Sequence, residues 1–221
     1  MKKWKHILFD LDGTLIDSKP GITKGVSLAL KHFQIEVNDL SRLEGYIGPP
    51  LLDSFMTLHK LSEKQANEAI ARYREYYTSA GIFEYTVYPG IAGLLKDLVN
   101  DGKKLYVATS KPTPFAEKIL ANEQLDHLFS GIYGSFLDGR RTAKADVIET
   151  VLIEYRLPLA ETVMIGDRRE DIIGAHKNRV HAIGVRYGYG SKQELQEARA
   201  DQIAVDVSDL RGKLLGIQDH K

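Results

Sequence analysis

From about residue 88 to its end, the chain alternates short apolar runs with segments of helical period. The runs "KLYVATS", "GIYGS", "TVMIGD" and "HAIGVRYG" are rich in β-branched and aromatic residues, and "DQIAV" is a weaker one. An earlier run, "KHILFDL", opens the chain. Between them, "IAGLLKDLVNDG" (91–102) sets Leu94, Leu95 and Leu98 on one face and ends at Gly102, a helix stop. "TPFAEKILANEQL" and "KADVIETVLIEYRL" read the same way. Near-continuous apolar strands alternating with amphipathic helices predict an α/β fold, a doubly wound parallel sheet with helices on both faces.

Residues 17–86 break the alternation. They carry helical signals only: "PGITKGVSLALKHFQI", "PPLLDSFMTLHK" and "SEKQANEAIARYREYYTSAG". The last opens on Ser62-x-x-Gln65, a capping box. It then spaces Ala66, Ile70, Tyr73 and Tyr77 as a helical stripe, with Gly81 as the stop. The expected organisation is a Rossmann-like α/β core built from 1–16 and 87–221, with an all-helical cap, 17–86, inserted after the first strand.

Composition narrows the chemistry. Lysine plus arginine balance aspartate plus glutamate at 30 each over 221 residues, so net charge gives no pull toward nucleic acid or an anionic membrane. No cysteine is present, which removes thiolate catalysis and cysteine metal sites. The first apolar run is too short for a signal peptide and ends in acids, and no run approaches membrane-spanning length. The expectation is a cytoplasmic protein with no nucleic-acid or membrane partner, monomeric or homodimeric.

In a parallel sheet of this type, ligands bind beyond the carboxyl ends of the strands. The first strand ends in Asp10 and Asp12, followed by Gly13 and Thr14. The second candidate strand ends in Thr109, Ser110 and Lys111. "TVMIGD" ends in Asp167, with Asp171 one helical turn further on, and Lys144 stands near a helix start. Buried carboxylates are costly unless paired, hydrogen-bonded or bound to metal. Such oxygens suit Mg²⁺, and a phosphate on that ion would need the hydroxyl of Thr109 and the charge of Lys144. One carboxylate could attack phosphorus while a second, two residues on, moved the proton of the leaving alcohol. Gly13 permits the strand end to bend, and Thr14 can hydrogen-bond nearby backbone.

"DLDGT", "ATS", a lysine and "GDRRED", in that order, resemble the four motifs of the haloacid dehalogenase superfamily. The resemblance implies a Mg²⁺-dependent phosphatase acting on a small phosphorylated metabolite. Asp10 would be the nucleophile and also a metal ligand. Asp12 would be the acid/base and would lend its backbone carbonyl to the metal. Asp167 and Asp171 would hold the metal, and Thr109 and Lys144 the phosphoryl group. Gly13, Thr14, Ser110 and Lys111 are further candidates for substrate binding. "YIGPPL", "VYPGI" and "VATSKP" look like the phosphoglycolate phosphatase branch, whose members are also described as 5′-nucleotidases. The same likeness gives Gly48, Pro49 and Pro50 a place against the leaving group, with the cap closing over the substrate.

Each residue also has a bland reading. Asp10 and Asp12 could cap a turn, Thr109 could be a satisfied core hydroxyl, and Lys144 a solvated lysine. Asp171 could serve only the helix dipole, and Gly48-Pro49-Pro50 could be an ordinary turn. Ala145 follows Lys144 where the family often has proline, so Arg140 and Arg141 are rivals for its role. "GAHKNRV" lacks the usual helix-ending glycine, and Asn178 can take the left-handed conformation there. Two other functions fit the same residues: a sugar phosphomutase of the same fold, and a non-enzymatic receiver-like signalling module.

Overall fold

The computed structural model describes residues 4–216. The chain runs through β1 (His6–Phe9), β2 (Ile16–Asp17), α1 (Lys19–His32), α2 (Leu51–Leu58), α3 (Glu63–Ser79), β3 (Thr86–Val87) and α4 (Ile91–Asn100). It continues through β4 (Lys104–Pro112), α5 (Thr113–Asn122), β5 (Phe129–Ser135), α6 (Lys144–Glu154), β6 (Thr162–Gly166) and α7 (Arg169–Lys177). The last elements are β7 (His181–Val185), α8 (Lys192–Glu197), β8 (Gln202–Ala204) and α9 (Val207–Leu215).

Six strands form one sheet in the order β5-β4-β1-β6-β7-β8, every pair parallel. The chain grows outward from β1 through β4 to β5, then returns to the other side of β1 to place β6. That reversal is the topological switch point, and in such sheets it opens a crevice outside the carboxyl ends of the strands. Here it lies between β1 and β6. The register pairs Phe9 with Ile165, so both strands end level with one another.

The sheet is buried on both faces, which is why its strands read as unbroken apolar runs. Ile7, Leu8 and Phe9 of β1 are wholly enclosed. Leu8, Tyr106 and Met164 from three adjacent strands share one core with Val147, Ile148 and Val151 of α6 and with Ile172 and Ala175 of α7. This packing fixes the starts of α6 and α7, the two helices whose first turns carry Lys144 and Asp171.

By internal contacts the chain divides into one unit of residues 1–16 and 87–221 and a second of residues 17–86. The second unit consists of α1, a 3₁₀ turn (Leu40–Tyr46), α2, α3 and a short 3₁₀ turn at Gly81–Phe83. The capping box is present: the Ser62 hydroxyl accepts from the Gln65 N–H, and the Gln65 side chain accepts from the Ser62 N–H over 3.0 Å. The buried stripe of α3 differs from the sequence reading by one residue. It consists of Ala66, Ala69, Tyr73 and Tyr77, while Ile70 is only half-buried. Tyr73 and Tyr77 stack with ring centres 5.1 Å apart.

The end of α7 also differs. Asn178 has φ −92°, and Arg179 is the residue in the left-handed region, at φ 58°. The Asn178 amide instead donates to the carbonyls of Ala145 (2.9 Å) and Gly174 (3.0 Å), tying α7 to the start of α6. No helix among the described residues is long and apolar enough to cross a membrane.

Candidate active site

The switch point gathers four charged side chains in a nearly dry space. Asp10 follows β1, Asp167 follows β6, Asp171 lies in the first turn of α7 and Lys144 begins α6. All four are buried. One ligand oxygen from each of the three acids lies within 4.8 Å of the others. Lys144 Nζ sits 2.7 Å from Asp10 Oδ1 and 2.8 Å from Asp171 Oδ1, and it donates to the Ala108 carbonyl at 3.1 Å. Both carboxylate contacts are ion pairs between buried groups.

Three acids against one base is a charge imbalance, and burial makes it expensive. Burial pushes the Asp10 carboxyl up to about 6; Asp171 and Asp12 add to the rise while Lys144 opposes it. Asp167 is driven well above the usual carboxylate range, first by burial and then by Asp171 and Asp10. Burial works against the Lys144 ammonium, but Asp10 and Asp171 more than offset it and hold its pKa above the normal lysine value. A hard cation with oxygen ligands would relieve the acids. The buried oxygens of Asp10 and Asp171, balanced in the structure by the Lys144 ammonium, and the close grouping of the three acids fit one, so this cluster could hold a metal.

Local backbone builds the acids into place. The Asp10 N–H donates to the Ile165 carbonyl at 2.9 Å, which stitches the end of β1 to β6. Gly13 has φ 85°, and a β-carbon there would meet Asp167 Cγ at 2.6 Å, so both the turn and the close approach demand glycine. The Gly13 N–H is already engaged by the Ile16 carbonyl at 2.8 Å. The Thr14 hydroxyl reaches Asp167 Oδ1 at 3.3 Å, a side-chain partner where backbone was expected. Asp171 serves two roles at once. Its Oδ2 accepts the Arg168 N–H at 3.0 Å at the helix start, and its Oδ1 faces Lys144.

Beyond this group, Lys111 Nζ donates to Asp12 Oδ1 at 2.8 Å, and both residues are buried. The pairing of β4 with β5 shifts register between Ala108 and Pro112, so Thr109, Ser110 and Lys111 form an irregular strand end. The buried Thr109 hydroxyl accepts the Lys111 N–H at 3.2 Å and keeps its own proton for another partner. Ser110 contributes its carbonyl to the Ser135 hydroxyl at 2.8 Å. The rivals of Lys144 lie elsewhere. Arg140 is exposed and paired with Asp138, and Arg141 donates to the Gly134 carbonyl and covers the Phe136 ring. Gly48, Pro49 and Pro50 belong to the helical unit, where Pro50 precedes the first residue of α2.

One contributor is invisible in the motifs. The Tyr189 N–H donates to Asp167 Oδ2 at 2.8 Å, and the Tyr187 hydroxyl donates to the Thr14 carbonyl at 3.1 Å. Its signal in the sequence is the glycine and tyrosine pattern "GVRYGYGS", which has the composition of a loop.

Residues 7–185 match the model of the haloacid dehalogenase-like hydrolases. A 5′-nucleotidase of Pseudomonas aeruginosa is 46% identical over 95% of this chain and 95% of its own. A Mycobacterium tuberculosis protein called tyrosine-protein kinase PtkA is 36% identical over 94% of this chain and 72% of its own. Among solved structures, a predicted phosphatase from Clostridium acetobutylicum superposes with a TM-score of 0.95 at 46% identity, covering 97% of this chain and 100% of that one. With the motifs, the switch-point acids and the whole-chain match in agreement, this chain belongs to the haloacid dehalogenase-like hydrolases.

Proposed function

We propose that this haloacid dehalogenase-type phosphatase hydrolyses a small phosphomonoester through an aspartyl phosphate on Asp10, with Mg²⁺ as its cofactor and a nucleoside 5′-monophosphate as the first substrate class to test. The observation that carries the reading is the buried group of Asp10, Asp167, Asp171 and Lys144 at the switch point. The 46% likeness to a 5′-nucleotidase supports the substrate class. Phosphoglycolate is the second choice, on the strength of the "YIGPPL" and "VATSKP" motifs.

Asp10 would use a carboxylate oxygen to attack phosphorus, aided by a site that excludes bulk water. Asp167 and Asp171, with Asp10 and the Asp12 carbonyl, are the residues that would hold Mg²⁺, which when bound supplies charge compensation for the phosphoryl oxygens. Lys144 supplies fixed positive charge beside the nucleophile and limits its repulsion of an incoming dianion. Asp12 would give a proton to the leaving alcohol and later take one from the hydrolytic water. Such chemistry needs no partner beyond the small metabolite.

The test is phosphate release from nucleoside monophosphates, phosphoglycolate, pyrophosphate and sugar phosphates, with Mg²⁺ and with chelator. Metal-dependent release from one of them is expected. Conversion of a sugar phosphate to its isomer with no free phosphate would replace this reading with a mutase. A stable phospho-enzyme that never turns over would replace it with a signalling module.

A further inference from the structure

Lys111, offered by the sequence only as a candidate for substrate binding, has no part in the proposed reaction steps, yet it is placed with unusual care. Lysine is almost never enclosed unless paired, and Lys111 is enclosed, with its side chain only 5% exposed. Its ammonium does not reach toward Asp10, where Lys144 already stands 2.7 Å away. It meets Asp12 Oδ1 at 2.8 Å instead. The backbone behind it is anchored, since its N–H donates to the Thr109 hydroxyl at 3.2 Å. No hydrogen bond among the described residues reaches the other oxygen of Asp12, Oδ2.

We propose that Lys111 is a positioning residue that assigns the two oxygens of Asp12: its ammonium occupies Oδ1, and the transferable proton is carried on Oδ2. An ammonium has donors only, so the oxygen it faces must accept. The assignment rests on the phosphatase reading above and deepens it. In the first half-reaction an Asp10 oxygen bonds to phosphorus, the ester P–O bond breaks, and the departing oxygen takes the proton from Asp12 Oδ2. In the second, water oxygen bonds to phosphorus, the bond from phosphorus to Asp10 breaks, and the water proton returns to Oδ2. Lys111 keeps its own protons throughout. A carboxyl free to rotate would present the wrong oxygen or the wrong angle for part of the time, and proton transfer depends steeply on geometry.

The prediction separates this role from phosphate binding. Loss of a phosphate-binding cation would weaken every phosphate ester alike. Loss of acid positioning spares esters whose leaving group departs without a proton. The experiment compares wild type, Lys111→Met and Lys111→Gln, each full-length and with Mg²⁺. The substrates are p-nitrophenyl phosphate, aryl phosphates of rising leaving-group pKa, and an alkyl phosphate. The readout is kcat/KM, which covers steps up to the first phosphoryl transfer. For Lys111→Met, a loss of about 100-fold or more on the alkyl ester and less than about tenfold on p-nitrophenyl phosphate is expected. Lys111→Gln keeps a neutral N–H donor and should fall between Met and wild type. It also carries the test if the Met variant does not fold. An equal loss across the series in the folded variants, or no loss at all, would overturn the role of Lys111. A wild-type enzyme inactive on every ester would instead overturn the phosphatase reading itself.

Discussion

A β-carbon on Gly188 would lie 2.6 Å from Oδ2 of Asp167, the same oxygen that accepts the Tyr189 N–H. The loop after β7 therefore presses its backbone against the acid that ends β6. A side chain at position 188 would also collide with the Gly13 carbonyl, which belongs to backbone and cannot swing aside. Gly188→Ala should displace Asp167 and cost about 1–3 kcal/mol of stability, as overpacking does. In wild type, Mg²⁺ at 100 times its Kd should stabilise the fold by about 2.7 kcal/mol. Thermal melting with and without Mg²⁺ reads both effects. A variant whose Mg²⁺-induced rise in Tm equals that of wild type would mean that Gly188 does not set the position of Asp167.

Lys144 is the cation that the buried acids depend on. Replacing it with Met leaves Asp10 and Asp171 enclosed and uncompensated, and removing one partner of a buried ion pair costs about 3–5 kcal/mol. Urea denaturation of the metal-free protein should show that loss, and turnover should vanish. Arg140→Ala is the contrast. Its side chain is exposed, paired with exposed Asp138 and set over the Phe136 ring at 4.8 Å, surface contacts that contribute little. Its melting temperature should match wild type, and its kcat/KM should stay within about twofold. A large loss of activity there would reopen the choice between Lys144 and the arginines.

The acids and Lys144 could be found in the sequence because each follows a strand or opens a helix, and both kinds of boundary are written in consecutive residues. The parallel sheet was legible for the same reason: β1, β4, β6 and β7 are buried on both faces and carry unbroken apolar runs. What escaped are contacts made by backbone. The Tyr189 amide on Asp167 and the Ala108 carbonyl on Lys144 depend on where the chain passes, and side-chain identity says nothing of that. The Lys111 to Asp12 pair spans 99 positions and could not be read from spacing. The end of α7 was misread because local preference was weighed alone. Asparagine tolerates the left-handed region, but the Asn178 amide is held by Ala145 and Gly174, and the burden passes to Arg179.

That burden is measurable. A left-handed residue other than glycine pays in steric crowding between its β-carbon and the carbonyl oxygen, about 1–2 kcal/mol. Glycine avoids this but gives up some of the gain to the entropy of the unfolded chain. Arg179→Gly should therefore raise stability by a net amount of about 0.5–1 kcal/mol. Calorimetry should show a Tm higher by about 1–4 °C. An unchanged or lower Tm would mean that the Arg179 side chain makes up for its backbone.

At the opposite end of the strands, Asp201 joins three partners. Its Oδ2 accepts the Ala182 N–H at 2.9 Å, lies 3.0 Å from His176 Nε2 and 3.4 Å from His181 Nδ1. Burial pushes the carboxyl up, but the Ala182 N–H and the two histidines outweigh it and hold it below the usual aspartate value. A depressed folded pKa means that the ionised form is the stabilising one. Its contribution is complete above the unfolded pKa of about 3.9 and is lost as pH falls through the lower folded value. Asp201→Asn should thus melt below wild type at pH 7. The gap should persist down to about pH 4 and shrink below it, as wild type itself becomes protonated. Melting curves of both proteins from pH 7 to pH 3 decide it. A gap as wide at pH 3 as at pH 5 would show that the Asp201 charge does not stabilise this end of the sheet.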